Sequence, residues 1–326
     1  MTATIDPVID VYIRPEDTQR ALADDVRAGL SARPKELPPK WFYDAQGSAL
    51  FDKITRLPEY YPTEAERSIL AEHAAAIANL SDADTLVELG SGSADKTRVL
   101  LDALRAHGSL ARYVPFDVSE SGLVGASKTI AGYYPGLEVH GVVGDFDRHI
   151  DAIPRGGTRM IAFLGGTIGN FEPTARRRFF EQISSRMNAH DTFLLGVDLV
   201  KNPARLVRAY DDEVGVTAAF NKNVLAVINR SLGGSFDLDQ FEHVARWDPV
   251  HEWIEMRLRS IEAQRVTVRD IGLTVDFAAG EEMRTEISAK FRRGGIAREL
   301  HSAGLEFVRW LPDASDEYAL ALTRKP

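Results

Sequence analysis

Apolar segments typical of buried strands alternate with helical segments through the middle of the chain, and this rhythm constrains the fold more than any other feature. Short apolar runs bounded by glycine or polar residues are typical of strands that are buried on both faces. Strands separated by helices predict a parallel sheet, because right-handed crossovers then place helices on both of its faces. The predicted strands are Thr85–Leu89, Arg112–Phe116, Leu137–Val143, Met160–Leu164 and Thr192–Val197.

Helical segments fill the intervals between these strands and also precede the first of them. Thr63 followed by Glu66 forms a capping-box pattern, which predicts a helix that begins near Pro62. The other helices predicted in this part of the chain are Thr18–Leu30, Lys96–Ala106, Ser119–Ala131 and one that follows Pro173.

The rhythm breaks after Asp198, where two further helical segments are followed by alternating apolar and polar residues. Such alternation is typical of antiparallel strands. The elements expected here are helices over Pro203–Asp212 and from Val216 to Gly233, strands at Trp253–Ser260, Gln264–Val268 and Leu273–Phe277, a helix over Glu286–Ala303, and a terminal strand pair at Leu305–Trp310 and Ser315–Leu322.

This change of pattern predicts an α/β sheet domain that carries a second, smaller α+β lobe. Residues 1–61 are expected to form an N-terminal cap that belongs to the lobe, and residues 62–200 are expected to form the sheet domain. Residues 201–285 would then be the inserted part of the lobe, and residues 286–326 would return to the sheet domain.

The charge balance and the lack of cysteine exclude several classes of function. A formal net charge of -9 argues against a nucleic-acid partner, which needs a surface rich in lysine and arginine. Without cysteine there is no disulfide, no thiolate nucleophile and no cysteine-ligated metal site. The sequence also lacks a membrane-spanning apolar segment and a signal-peptide pattern. We therefore expect a cytoplasmic enzyme with no membrane partner.

The first predicted strand runs into a glycine turn that is typical of nucleoside cofactor sites. In the segment VELGSGSADKT, Gly90 and Gly92 permit a close approach of the backbone to a ligand before a helix begins. The third glycine of the dinucleotide fingerprint is missing, because Ala94 and Asp95 occupy its place. Taken alone, the turn is as compatible with a structural role as with cofactor binding.

Acidic residues at the ends of three successive strands strengthen the cofactor interpretation. Asp117 lies at the end of the second strand, where a carboxylate can bind ribose hydroxyls in both NAD and S-adenosylmethionine enzymes. Asp145 and Phe146 follow the third strand and suit an adenine amino group and ring face, although Asp145 alone would be a turn residue. With Glu88, they resemble the motifs of class I S-adenosylmethionine methyltransferases, and a sulfonium cation suits an acidic site.

The fourth strand runs into the glycine-rich segment GGTIGNF, at the sheet edge where ligands of open α/β folds bind. The Asn170 side chain of this segment can hydrogen-bond the backbone groups of an amino acid. The alternative is a structural loop in which Asn170 adopts a left-handed conformation.

Together with several later segments, these motifs resemble one family over nearly the whole chain, from about Tyr43 to the last strands. The family is that of the histidine Nα-methyltransferases of ergothioneine biosynthesis. The resemblance implies a class I, Rossmann-like methyltransferase fold. It also implies three methyl transfers from S-adenosylmethionine to the α-amino group of L-histidine, which give hercynine (trimethylhistidine). The segments that carry the resemblance are WFYDAQGSALFDKITRLPEYYPT, VELGSGSADKT, PFDVS, GGTIGNF, AYDD, AAFNKNVLAVINR and RTEISAKF.

The resemblance also implies the residues of the site. By sequence alone, Lys96 would be a helix-surface residue, but the resemblance includes it among the cofactor contacts. The implied cofactor contacts are Gly90, Lys96, Asp117, Asp145 and Phe146. The implied substrate residues are Tyr43, Tyr60, Asn170, Tyr210, Met256, Glu286 and Ser288, of which Tyr43 and Asn170 are the catalytic candidates.

These residue types suit histidine as the substrate. Asn170 and the tyrosine hydroxyls can satisfy the carboxylate and the amine of an amino acid. Glu286 can accept an imidazole N–H, while Ser288 and Tyr60 serve the other ring nitrogen. Without the resemblance, the tyrosines and the methionine would be interpreted as packing residues, and Glu286 as an exposed acid at a helix start.

Three alternative functions stay open at this point. A nicotinamide-dependent oxidoreductase shares the glycine turn and Asp117, although the missing third glycine and the pair Asp145 and Phe146 count against it. A methyltransferase that acts on another amino acid or on a protein amine would keep the cofactor but change the acceptor, and a non-catalytic binding protein would keep the fold only. For the preferred function we expect S-adenosylmethionine and L-histidine as the ligands, no metal, and a monomeric protein.

Overall fold

The computed structural model describes residues 5–92 and 95–326, without the side chains of Pro15, Asp95, Phe146 and Asp147. The chain divides into two compact units. The first unit comprises the described parts of residues 1–14, 64–200 and 291–326, and the second comprises residues 15–63 and 201–290. Each unit has its own hydrophobic core. Among the described helices, none combines the length and the apolar character that a membrane crossing requires.

The first unit is built on one eight-stranded sheet. Its strands are β1 (Val8–Val11), β2 (Thr85–Leu89), β3 (Arg112–Asp117), β4 (Glu138–Val143), β5 (Arg159–Phe163), β6 (Thr192–Asp198), β12 (Glu306–Pro312) and β13 (Tyr318–Arg324). They follow the order β1-β4-β3-β2-β5-β6-β13-β12. The strands from β1 to β6 pair in parallel, whereas β13 is antiparallel to both of its neighbours.

Helices connect the parallel strands and cover the sheet. Every residue of β2, β5 and β6 is buried, as expected for central strands with both faces covered. The helices of this unit are α3 (Pro62–Ser81), α4 (Asp95–His107), α5 (Glu120–Tyr133), α6 (Phe146–His149), α7 (Pro173–Arg186) and α10 (Arg293–Ser302).

The strand order creates a switch point between β2 and β5. From β2 the chain moves outward to β3 and β4, and it then returns to β5 on the other side of β2. Ligands of open α/β sheets bind at the carboxyl ends of the strands at such a point. The predicted α/β class is therefore confirmed, and the two glycine-rich segments follow the two strands of the switch point.

The second unit combines four helices with two small antiparallel sheets. The helices are α1 (Pro15–Ser31), α2 (Ala45–Ile54), α8 (Pro203–Tyr210) and α9 (Val216–Leu232), and the strands are β7 (Phe241–Asp248), β8 (Trp253–Ser260), β9 (Gln264–Val268), β10 (Leu273–Phe277) and β11 (Glu282–Ala289). One sheet has the order β11-β8-β7, and the other pairs β10 with β9. The core of this unit forms where α9, the most buried of its helices, packs on β7 and β8.

Most predicted elements are confirmed within a few residues, but the N-terminal segment differs from the expectation. Residues 5–14 lie in the sheet unit, because Val8 to Val11 pair in parallel with β4 as an edge strand. The strand has only four residues and Val8 is 54% exposed, so no buried apolar run marks it in the sequence. Helix α2 and strand β7 are two further elements that the sequence pattern did not predict.

The helix predicted over Glu286–Ala303 is wrong in its first part. Residues 282–289 form β11, which pairs with β8, and the helix begins only at Arg293. Pairing with a neighbouring strand outweighs the local pattern here, as it often does for strands. Glu286 is therefore a buried strand residue and not an exposed acid at a helix start.

A buried ion pair joins the beginnings of β5 and β6. Arg159 Nη2 donates to Asp191 Oδ2 at 2.6 Å, and the Arg159 backbone N–H donates to Asp191 Oδ1 at 2.8 Å. The two side chains are 1% and 0% exposed. Removal of one partner therefore leaves a buried, uncompensated charge.

We expect the substitution Asp191→Ala to lower the free energy of unfolding by about 3–5 kcal/mol. Arg67→Ala is the control, because the Arg67–Glu64 pair is exposed, and its loss should cost less than about 1 kcal/mol. Denaturant unfolding followed by circular dichroism measures both changes. Similar shifts for the two variants would contradict the structural role of Asp191.

Candidate functional site

The glycine turn after β2 has the backbone conformation and the space that a ligand site requires. Gly90 and Gly92 have φ values of 74° and 47°, in the left-handed region that favours glycine. A Cβ atom at Gly92 would meet no described atom within 4 Å, so the turn is open there. The Ser91 hydroxyl is buried and has no hydrogen-bond partner among the described residues. Ser93 and Ala94 of the same turn lie outside the described residues.

Asp117 lies beside this turn at the end of β3. Its Oδ2 atom accepts the Gly92 N–H at 3.4 Å, and its Oδ1 atom accepts the Ser119 N–H at 3.0 Å. Burial raises the pKa of the Asp117 carboxyl, although these two backbone N–H groups lower it in part. A half-buried carboxylate at the glycine turn is well placed to accept hydrogen bonds from ribose hydroxyls.

Asp145 follows the adjacent strand β4. The Gly144 N–H donates to the Asp117 carbonyl oxygen at 2.9 Å, so the ends of β3 and β4 adjoin. The Asp145 backbone N–H donates to His149 Nδ1 at 3.1 Å, and its side chain is half-buried. Phe146 begins α6, but its side chain lies outside the described part of the structure, so its predicted contact with adenine stays a prediction.

Glu88 differs from the other two acids, because it is buried and its carboxyl group binds side chains of neighbouring elements. Its Oε2 atom accepts the Thr97 hydroxyl at 2.5 Å and the Tyr113 hydroxyl at 2.7 Å. Burial raises the pKa of Glu88 to about 7, while the two hydroxyls and Lys96 lower it in part. Asp117 and Asp145 are therefore the acidic residues at the carboxyl edge of the sheet, whereas Glu88 links β2 to β3 and α4.

Lys96 is held by Glu66, a residue that the sequence analysis assigned to a capping box. The Lys96 ammonium forms an ion pair with Glu66 Oε2, and the Glu66 side chain is fully buried. Glu66 Oε1 also accepts the Gly165 N–H at 2.8 Å and the Tyr318 hydroxyl at 2.7 Å. Gly196 leaves room for this cluster, since a Cβ atom there would lie 2.3 Å from Glu66 Oε1. Lys96 is therefore a half-buried, paired residue and not a free surface lysine.

Asn170 lies at the end of a single 3-10 turn, Thr167–Asn170, that follows β5. The left-handed residues of this loop are Gly165 and Gly166, with φ values of 77° and 67°, so the alternative of a left-handed Asn170 is wrong. The Asn170 side chain is half-buried, and no described residue forms a hydrogen bond with it. Its amide remains available to a ligand.

The tyrosines of the second unit belong to a row of aromatic rings. The Tyr43 ring packs edge-on against Phe51 at 5.6 Å and against Phe220 at 5.4 Å between ring centroids. Phe51 in turn contacts Tyr60 at 6.2 Å, and Tyr60 contacts Tyr210 at 6.1 Å. The row thus connects the three tyrosines through Phe51, which the sequence analysis did not select.

A β-bulge in β11 turns Glu286 toward the same sheet face as Met256. Met283 pairs with Leu258 and Glu286 pairs with Met256, so two residues that are three positions apart face the same side. An unbroken alternation would place them on opposite faces. Bulges often redirect side chains beside functional sites in this way.

The Glu286 side chain is buried among few polar groups. It is 7% exposed, and no described residue donates a hydrogen bond to it. Burial raises the pKa of the Glu286 carboxyl to about 8, and the positive charge of Lys290 lowers it in part. A buried acceptor that has no donor among the described residues is a group that a ligand can satisfy.

Ser288 lies two residues further along the same face and contacts Tyr210. The two hydroxyl oxygens are 2.7 Å apart. The Lys290 ammonium donates to Tyr210 Oη at 2.9 Å and to Ser288 Oγ at 2.8 Å. All three residues are less than 10% exposed. Lys290 therefore belongs to this polar group, although the sequence analysis did not select it.

The structure brings six of the seven substrate candidates into the second unit. Asn170 and the five cofactor candidates lie in the first unit. The sequence analysis did not assign four residues of these clusters to the site, namely Glu66, Phe51, Phe220 and Lys290. Only Lys290 has a signal in the sequence, because it continues the two-residue spacing of Glu286 and Ser288.

Comparisons with known proteins agree on one family. The family model described as "Histidine-specific methyltransferase, SAM-dependent" matches residues 22–325. The histidine N-alpha-methyltransferase of Mycobacterium tuberculosis (strain CDC 1551 / Oshkosh) is 56% identical over 94% of this chain and 95% of its own length. The protein of the same name from Mycolicibacterium smegmatis is 54% identical over 95% of this chain and 97% of its own. Ergothioneine biosynthesis protein 1 of Schizosaccharomyces pombe is 33% identical over 74% of this chain and 31% of its own length.

The raised pKa of Glu88 predicts a pH dependence of stability. In the folded state Glu88 keeps its proton up to a pH of about 7, whereas in the unfolded chain it ionises near 4.5. Between these values the unfolded state binds fewer protons, so this residue makes the protein less stable as the pH rises, by at most about 1.4 kcal/mol per pH unit.

Glu88→Gln should remove this contribution, because glutamine stays neutral and keeps an acceptor oxygen for Thr97 or Tyr113. We expect the stability of the variant relative to the parent to increase from pH 4.5 to pH 7. Denaturant unfolding at several pH values measures the difference. Glu64→Gln, in an exposed side chain, is the control. A difference between Glu88→Gln and the parent that does not change with pH would contradict the assignment.

Proposed function

Because the chain belongs to the family of histidine-specific, S-adenosylmethionine-dependent methyltransferases, we propose that it methylates the α-amino group of L-histidine. Three successive transfers then give hercynine for ergothioneine biosynthesis. The observation that carries this proposal is the identity of 54–56% to two histidine N-alpha-methyltransferases over nearly the whole chain. A relative named for ergothioneine biosynthesis supports the pathway.

The first unit is proposed to bind the cofactor at the carboxyl edge of its sheet. When bound, S-adenosylmethionine supplies an electrophilic methyl group on a sulfonium ion. The open turn at Gly92 and the Asp117 carboxylate beside it fit a nucleoside ligand, as does the Ser91 hydroxyl, which has no partner among the described residues. The assigned cofactor residues are Gly90, Lys96, Asp117, Asp145 and Phe146.

The second unit is proposed to hold the imidazole ring and part of the amino acid backbone. Glu286 would accept the ring N–H, because it is a buried acceptor without a donor among the described residues. Ser288 and Tyr60 would serve the other ring nitrogen, and Met256 would pack on the ring. Tyr210, Tyr43 and Asn170 complete the assigned substrate residues.

Positioning is expected to dominate the chemistry of transfer. Attack by the amine on the methyl carbon moves charge from sulfur to nitrogen, so holding the amine in line supplies most of the acceleration. The amine must lose its proton before each transfer. We assign Tyr43 and Asn170 to the reacting amine, with the tyrosine hydroxyls or water as the route of the proton.

The aromatic row suits an amine that grows and finally becomes a fixed cation. The trimethylated product carries a permanent positive charge, which ring faces attract without a hydrogen bond. Tyr43 and Tyr60 belong to the row through Phe51. Such a surface tolerates added methyl groups better than a set of hydrogen-bonding partners does.

The family match leaves the nicotinamide oxidoreductase without support. The other alternative is a different amino acid or a protein amine as the methyl acceptor. Glu286 favours histidine over these acceptors, because its carboxyl suits a side-chain ring with an N–H donor. The monomeric state, the cytoplasmic location and the lack of a metal stay predictions from the sequence.

Mass spectrometry of a reaction with L-histidine and S-adenosylmethionine tests the function directly. We expect mono-, di- and trimethylhistidine in succession, with fragmentation that places all methyl groups on the α-nitrogen. Nα-acetylhistidine is the control substrate and should not react. Methylation of the imidazole ring, or turnover of Nα-acetylhistidine, would contradict the assigned acceptor atom.

Two variants should separate the two proposed binding sites. Asp117→Ala removes a charge-assisted acceptor and should weaken S-adenosylmethionine binding by about 1.5–3 kcal/mol. Glu286→Gln keeps the shape but weakens the acceptor, and it should lower kcat/KM for histidine by roughly one to two decades.

Calorimetry with S-adenosylmethionine and steady-state kinetics with histidine provide the two readouts. The cofactor affinity of Glu286→Gln should equal that of the parent, which serves as the internal control. An unchanged cofactor affinity in folded Asp117→Ala would rule out the ribose assignment. An unchanged ratio of kcat/KM for histidine over tryptophan in Glu286→Gln would mean that Glu286 does not recognise the ring.

A further inference from the structure

A buried lysine contacts two of the residues assigned to the substrate. The Lys290 side chain reaches back from the end of β11 to the hydroxyls of Tyr210 and Ser288 at 2.9 and 2.8 Å. It is 4% exposed, and its ammonium also lies 4.6 Å from the centre of the Tyr210 ring. A buried ammonium is costly to desolvate and therefore orders the acceptor groups around it.

The donor chemistry of Lys290 fixes the roles of the hydroxyls around it. An ammonium group has only donors, so both hydroxyl oxygens accept from it. One hydrogen atom then lies between Tyr210 and Ser288, whose oxygens are 2.7 Å apart. The phenol is the more acidic hydroxyl and therefore the better donor, so Tyr210 donates to Ser288.

The Ser288 hydroxyl is left with one function. Its oxygen has two lone pairs, and these accept from Lys290 and from Tyr210. Ser288 can therefore only donate to any further partner. Two residues away on the same face, Glu286 offers an acceptor that no described residue uses.

We propose that Lys290 is a positioning residue that makes Ser288 an obligate donor, so that the site recognises the unprotonated ring nitrogen of histidine while Glu286 accepts the ring N–H. The inference rests on the proposed function and on the substrate residues assigned there. A neutral imidazole carries one donor and one acceptor, which match these two groups. A pyrrole, phenyl or indole ring lacks the acceptor nitrogen and would leave the Ser288 hydrogen unsatisfied.

The charge of Lys290 supports the same arrangement on the Glu286 side. Its positive charge lowers the pKa of Glu286, against the much larger effect of burial. Lys290 thus shifts the equilibrium of Glu286 toward the carboxylate, although burial keeps the pKa at about 8. The carboxylate form can only accept. One buried cation therefore promotes an acceptor at Glu286 and a donor at Ser288.

The test compares histidine with the two pyrrolylalanine isomers, which keep one ring N–H and replace the other nitrogen with CH. In the parent, kcat/KM for histidine should exceed that for the better isomer by about tenfold or more, because a buried donor loses its partner in the analogue. Lys290→Met frees the Ser288 hydroxyl to rotate, so this ratio should fall about tenfold, through KM and with little change in kcat. Lys40→Met, which removes an exposed lysine of the same unit, should keep the ratio of the parent.

A double-mutant cycle distinguishes positioning from a merely structural role. Ser288→Ala should lower the ratio as Lys290→Met does, and adding Lys290→Met to Ser288→Ala should lower it no further. Ser288→Ala also keeps the proposal testable if Lys290→Met does not fold, because a serine-to-alanine change in a strand is mild. Thermal unfolding and S-adenosylmethionine affinity check that each variant is intact.

The proposal is overturned if Ser288→Ala retains the ratio of the parent. It is also overturned if the effects of the two substitutions multiply, because Lys290 would then act independently of Ser288. Both results presuppose a parent protein that methylates histidine. A parent that fails to do so refutes the proposed function itself, and the inference with it, so the two failures are distinguishable.

Discussion

The first unit depends on a buried charge, the Glu66 carboxylate, whose partners join several segments at the carboxyl edge of the sheet. Glu66 lies on α3 and binds Lys96 of α4, the Gly165 amide after β5, and the Tyr318 hydroxyl of β13. These contacts join four segments that are distant in the sequence. Gly165 follows β5 and α4 follows β2 in the chain, so this one buried charge has partners on both sides of the switch point of the sheet.

The second unit contains a buried carboxyl group of the opposite kind. Glu286 reaches the inner face of its sheet through a β-bulge, and no described residue donates to it. Burial raises its pKa to about 8, whereas Glu66 is satisfied by an ion pair and two hydrogen bonds. The contrast separates their roles. A carboxylate with a full set of partners stabilises the fold, and one that lacks partners is available to a ligand.

The sequence predicted the sheet well, because buried parallel strands leave a local signature. The bounds of β2 were predicted to the residue, and α3 begins at Pro62, near which its start was predicted. Features that depend on pairing were not predictable in this way. Strand β1 is too short and too exposed to show a pattern. The helix predicted over Glu286–Ala303 includes the last residues of β11, where a bulge interrupts the alternation of faces. The aromatic row through Phe51 likewise depends on contacts between segments that are separated in the chain.

The substrate candidates of the second unit divide into two groups with different physical demands. Hydrogen-bonding groups with a fixed donor and acceptor, such as Ser288 and Glu286, reject a ring that lacks either partner, because an unsatisfied buried group costs more than a lost contact. Aromatic ring faces, such as those of Tyr43 and Tyr60, attract a cation and accommodate added methyl groups without requiring a hydrogen bond. An enzyme that adds three methyl groups to one amine needs both properties. Its site must discriminate between side-chain rings, because the ring of the substrate stays the same. It must also accommodate an amine nitrogen that gains a methyl group in each transfer. In the proposed site, a polar group organised by Lys290 and an aromatic row connected through Phe51 would supply these two properties from one unit.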